Sequence, residues 1–98
     1  MWGSVRVEVV KITDYSCPIF VECELIDSHG KKHIFHDKHP IFFSNYDVVI
    51  PCRGEMNCKI IKNNCDTVII DTSEPDDIES DEGNYIFEVD KELVKYKC

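Results

Sequence analysis

Val5, Val7 and Val9 occupy every second position of "SVRVEVVKIT", with Arg6 and Glu8 between them. Successive side chains of an extended chain point to opposite faces, so this spacing puts three β-branched residues on one side of a strand and two charges on the other. "PIFVECELID" repeats the pattern, with Ile19, Val21, Cys23 and Leu25 in one row and Phe20, Glu22, Glu24 and Ile26 in the other. Pro18 lacks a backbone N–H and fits the start of that strand, not the middle of a central one. The runs "YDVVI", "CKIIK", "DTVIIDT" and "NYIFEVD" also read as strands. No segment sustains a 3.6-residue period, and "HPIFFSNYD" has room for one helical turn. The expected fold is mainly β: a small antiparallel barrel or sandwich of six to seven short strands, with at most one short helical turn.

One hairpin can be placed in register. Asp27-Ser28-His29-Gly30-Lys31 has Asp where a type I turn begins and Gly where the left-handed residue of a G1 bulge falls. Closing the pair at Asp27 and Lys31 sets His33 opposite Leu25 and Phe35 opposite Cys23, facing inward with Val21. Ile34 and His36 then face the other way. A slip of one residue would invert every assignment. Lys62-Asn63-Asn64-Cys65 is the second expected turn, because Asn tolerates positive φ.

The 98 residues are expected to form one domain, since two separate cores of half this size would each need staples. The opening "MWGSVRVEVV" enters a strand pattern without the charged, apolar and small-residue order of a secretory leader, so a cytoplasmic protein is expected. No apolar run reaches the roughly 20 residues of a membrane helix. In such a compartment the six cysteines, Cys17, Cys23, Cys52, Cys58, Cys65 and Cys98, are expected as thiols. The net charge is −8, and the stretch "DTSEPDDIESDEG" from Asp71 to Gly83 holds seven carboxylates and no base. Without that stretch the chain is close to neutral. Like charge disfavours nucleic acid and anionic membrane as partners. The aromatics Trp2, Phe20, Phe35 and Tyr46 are the ones an oligonucleotide-binding barrel would use for stacking, against that charge.

Three chemistries are suggested by residue type. His29, His33, His36 and His39 cluster by composition, but a spacing of three on a strand sends side chains to opposite faces, and no C-x-x-C supplies the other half of a zinc site. A calcium loop starting at Asp77 puts Glu82 where Gly is required, and its final ligand, Glu88, falls in a strand pattern. Cys52 beside Arg53 is the one thiol with a neighbouring cation, yet no nucleophile elbow, phosphate-cradling loop or C-x5-R pattern accompanies it. No cofactor, no metal and no enzymatic activity are therefore expected.

Two blocks carry a resemblance. "VECELIDSHGKKHIFHDKHPIF" resembles V-x-C-x-x-x-D-x-x-G-x-x-H followed by K-x-P-[IV]. "CKIIKNNCDTVIIDTSEPDDIESDEGNYIFEV" resembles a C-x-[IV] strand, then V-x-I-D-T-x-x-P-x-x-I-E-S-x-E-G and a closing F-x-V. Together they cover just over half the chain and are similar to a family of bacterial proteins of about this length with no assigned activity. The resemblance implies that the acidic stretch has a defined bend, and it carries over no functional residue. Asp77 stands where that pattern has a turn Gly, which makes a tight turn there less expected.

The function expected from these features is a non-enzymatic protein-interaction module that docks a basic partner through the acidic loop 71–83. Asp76, Asp77, Glu79, Asp81 and Glu82 are the candidate contacts, with Tyr85 as an aromatic anchor. The alternatives are a calcium- or zinc-binding or small-ligand domain, and a structural domain whose acidic loop is a solvated connection, with Pro75 and Gly83 at its bends and Ile78 tucked back onto the core. An exposed edge strand offers a route to a homodimer.

Overall fold

The computed structural model describes residues 1–15, 19–38 and 51–97. Its strands are β1 (Trp2–Asp14), β2 (Phe20–Ile26), β3 (Lys32–Lys38), β4 (Cys52–Asn63), β5 (Thr67–Asp71), β6 (Ile86–Asp90) and β7 (Val94–Lys97), with a single 3-10 turn at Lys91–Leu93. They form one antiparallel sheet in the order β3-β2-β1-β4-β5-β6, with β7 also on β1, and the sheet curls into a half-barrel. The expected mainly-β class is the observed one. β1 and β4 are longer than the short strands expected, at 13 and 12 residues.

The period-two rows became the faces of the sheet. Val5, Val7 and Val9 are buried while Arg6 and Glu8 are exposed, and Val21, Cys23 and Leu25 are buried beside them. The rest of the core comes from Phe35, Met56, Cys58, Ile60, Val68, Ile70, Ile78, Phe87, Val89 and Val94. β1 is long enough to serve three neighbours. Residues Trp2 to Val9 pair with β4 on one edge, while the other edge takes β7 at Trp2–Val5 and β2 from Glu8 onward. At Gly3 the approach of β7 is so close that a Cβ would lie 2.5 Å from the Lys95 carbonyl oxygen.

The β2–β3 hairpin has the expected register, with Leu25 opposite His33 and Cys23 opposite Phe35. The Asp27 amide donates to the Lys31 carbonyl at 2.9 Å, and Gly30 takes φ +82°. The second turn lies further along than expected. β4 continues through Asn63, and the bend falls on Cys65 and Asp66, closed by the Asn64 amide donating to the Thr67 carbonyl at 2.9 Å. Asn64 keeps a negative φ there, because the reversal needs no left-handed residue. "YDVVI", "HPIFFSNYD" and Pro18 lie outside the described residues.

β3 and β6 end the path of strands, and several contacts bridge the gap between them. Phe87 of β6 meets the rings of His33 and Phe35 edge-on, with centroids 4.7 and 5.5 Å apart. The Ser28 amide donates to the Glu88 carbonyl at 2.8 Å. Another is the acidic stretch itself, which crosses to β3 through a Phe35–Ser80 bridge and an Asp81 amide bonded to the Ile34 carbonyl at 2.9 Å. Both end strands are thus met along their outer edges, whereas β7 has a pairing partner on one edge. Lys95 and Lys97 on that strand are of the type that discourages further pairing.

Candidate functional site

The acidic stretch is a folded strap. Thr72 is its base: the amide donates to the Tyr85 carbonyl at 2.9 Å, the hydroxyl donates to the Ile78 carbonyl at 2.6 Å, and the Thr72 carbonyl accepts from the Ile78 amide at 3.0 Å. These bonds fold the chain back so that Ile78, 1% exposed, enters the core. Asp77 turns the corner with φ +52°, so a tight turn exists at this position with Asp in it. Its amide donates to the Ser73 carbonyl at 3.0 Å, which ties down the strained residue. Ser80 is buried and closes the second bend, receiving the Gly83 amide on its carbonyl and the Asn84 amide on its hydroxyl.

The carboxylates of the strap divide by partner. Glu74 pairs with Lys59 at 3.5 Å, Glu82 with Lys31 at 3.2 Å and Asp81 with His36 at 2.8 Å. The others are held by neutral groups. Asp71 accepts from the Ser73 amide at 2.8 Å and Asp76 from the Asn57 side chain at 3.4 Å. The Tyr85 hydroxyl shares its proton between Glu79 and, at 3.1 Å, Asp77. Those two acceptors push the phenol up to about 12, the Glu79 bond contributing more. A neutral donor fixes a carboxylate without cancelling its charge. Among the described residues Asp71, Asp76, Asp77 and Glu79 have no ion-pair partner. The expected contacts Asp76, Asp77, Glu79, Asp81 and Glu82 are therefore gathered on one strap. Tyr85 is half-buried, and its hydroxyl holds two carboxylates of the strap in position.

His33 and His36 sit as the hairpin register dictates, on opposite faces, and His39 lies outside the described residues. His33 is buried, and its Nε2 lies 2.8 Å from Asp27 Oδ2, while Asp27 Oδ1 accepts the amides of His29 and Lys31, both at 2.9 Å. Burial works to raise the Asp27 carboxyl, and the hydrogen bonds from His33, Lys31 and His29 outweigh it and leave it below its ordinary value. His36 is outside, its Nδ1 2.8 Å from Asp81 and its Nε2 2.9 Å from Glu22. The two carboxylates approach opposite sides of one ring, so they bracket it and cannot close on a single ion with it. Among the described residues no group of three or more His, Cys, Asp and Glu side chains is placed to hold a metal.

Alternation along β4 also separates Cys52 from its neighbouring cation. Cys52 packs against the core and Arg53 is exposed, and burial raises the thiol. Cys23, Cys52, Cys58 and Cys65 are free thiols, and burial pushes Cys58 up to about 11. Of the aromatics a nucleic acid would stack on, Phe35 is fully buried, Phe20 is half-buried, Trp2 is exposed, and Tyr46 lies outside the described residues. A cavity of about 190 Å³ lies against Trp2, Gly3, Asn57, Cys58, Pro75 and Lys97. Its polar lining is already engaged, Lys97 donating to Asn57 and Asn57 to Asp76.

Comparison with protein families, with curated proteins and with solved structures finds no match to this chain. No helix among the described residues is long and apolar enough to cross a membrane.

The hairpin turn and His33 were legible from spacing. Thr72, Ser80 and the pairing of His36 with Asp81 were not. The register did place Glu22 opposite His36, which is half of that contact.

Proposed function

We propose that this chain is a non-enzymatic protein-binding module that docks a basic partner on its acidic strap. The observation that carries the reading is the state of the carboxylates. Asp71, Asp76, Asp77 and Glu79 have no ion-pair partner among the described residues, and their positions are held by Ser73, Asn57 and Tyr85. Charges on an already ordered backbone steer an oppositely charged partner and cost less side-chain and loop ordering on contact. Asp81 and Glu82, paired with His36 and Lys31, form the more neutral end of the same surface.

The reading is tested by neutralising two sets of residues. The chain serves as bait for capture from a lysate of its source, with elution by salt. A basic protein retained at low salt should be lost from the Asp76→Asn, Asp77→Asn, Glu79→Gln variant, and kept by the Glu74→Gln, Glu82→Gln variant. Equal retention by wild type and the first variant would reject docking on the strap.

A second reading has its own observation. Ile78 and Ser80 are buried where the strap crosses from β5 to β3, so closing the half-barrel is a sufficient reason for the segment to exist. In that case neither variant set changes any interaction. For self-association, pairing along the outer edge of β7 is one route, read by a doubling of mass in light scattering.

A further inference from the structure

His36 is bracketed by carboxylates from two parts of the chain distant in sequence. Glu22 belongs to β2 and Asp81 to the strap, 14 and 45 residues away, and both contacts are under 3 Å. Only an imidazolium can donate from both ring nitrogens; a neutral ring has one N–H and must turn a lone pair toward the other carboxylate. The same short stretch of strap is attached to β3 by the Asp81 amide bond to Ile34 and the Phe35–Ser80 bridge. We propose that His36 is a pH-operated clasp, closed when protonated, that fastens the 80–82 arm of the strap to the β2–β3 hairpin.

The charged surroundings all bear on the ring. From β2 it faces Glu22, with Glu24 further along and paired to Lys32 at 3.5 Å. From β1, Lys11 stands beside Glu22 in the pairing register. From the strap come Asp81 and the Glu82–Lys31 pair at 3.2 Å, and on β3 itself Asp37 lies on the inner side with Phe35. Partial burial works to lower the His36 pKa, and the hydrogen bonds and charges of Asp81 and Glu22 outweigh it, so the pKa stands above its ordinary value of 6.5.

The sign follows. A group whose pKa is higher in the closed state favours closure fully below its open-state pKa and loses that effect as pH rises through the closed-state value. The arm is therefore fastened while His36 is protonated and loosens as pH rises through the raised closed-state pKa. The Lys31–Glu82 pair is a separate attachment of the arm, so loosening is local and leaves the strap base at Thr72 in place. None of this requires that a partner dock on the strap.

Two measurements on the intact chain decide it. The His36 imidazole is titrated by NMR in wild type and in Asp81→Asn, and solvent exchange of the Asp81 and Thr72 amides is followed from pH 6 to 9.5, corrected for the intrinsic rate. Protection at Asp81 should be level below the His36 titration and then fall, by about tenfold for each pH unit by which Asp81→Asn lowers the His36 pKa. Thr72 should stay protected, and His36→Gln should give a flat Asp81 profile. An identical His36 titration in wild type and Asp81→Asn overturns the proposal. So does Asp81 protection that passes unchanged through the titration.

Discussion

The β2–β3 hairpin and the acidic strap both reverse the chain through a residue with positive φ, yet they are built on different scales. In the hairpin the reversal is local. Asp27 alone collects the amides of His29 and Lys31 and the His33 ring, all within six residues, and Gly30 takes φ +82° without a Cβ to oppose it. In the strap the reversal is imposed from outside. Asp77 accepts φ +52° with a Cβ, because Ile78 is drawn into the core and Tyr85 and Ser73 hold the residue on either side. A turn supported by its own side chains can be read from spacing. One supported by burial elsewhere cannot.

The comparison can be broken most severely at Ile78. Ile78→Ala removes the strap's anchor and leaves a core cavity, so unfolding free energy from urea titration should fall by about 2–5 kcal/mol. Asp27→Ala tests the hairpin in the same way. It deprives the buried His33 of its partner, and a loss of about 1–3 kcal/mol is expected by the same method. Asp27 also predicts the acid limb. Its carboxyl lies below the ordinary value, so its contribution is complete above about pH 4 and is lost as pH falls through the folded-state value. Asp27→Asn should therefore give a shallower decline of stability with acid than wild type.

Smaller effects sharpen the contrast. Thr72→Val keeps the shape but leaves the Ile78 carbonyl without its 2.6 Å hydroxyl, and should cost about 1–2 kcal/mol. At the two bends the signs should differ. Gly30→Ala forces a Cβ into the left-handed region and should cost about 1 kcal/mol, whereas Asp77→Gly relieves the same strain and should gain about 0.5–1 kcal/mol in thermal unfolding. A loss at both positions would mean that the Asp77–Tyr85 bond outweighs the backbone.

β7 is a strand that local pattern does not signal. "LVKYK" has too few residues for alternation to register, and β7 exists because its backbone pairs with Gly3, Ser4 and Val5 nearly the whole chain away. "PCRGEMNC" drew attention as a candidate reactive cysteine, but its alternation sends Cys52 to the core and Arg53 to solvent. The fact that β4 extends across it follows from eight consecutive pairings with β1.

By itself the sequence determined what short-range periodicity and turn chemistry can encode: the mainly-β class, the inward rows of β1 and β2, and the hairpin with its register. These depend on neighbours within a few residues, where side-chain direction follows directly from backbone period. The tertiary structure alone decided that the acidic stretch crosses to β3, which of its carboxylates lack an ion-pair partner among the described residues, and that His36 stands between Glu22 and Asp81. Those outcomes rest on burial of Ile78 and on pairing across the mouth of the half-barrel, and such contacts exist only once the sheet has curled.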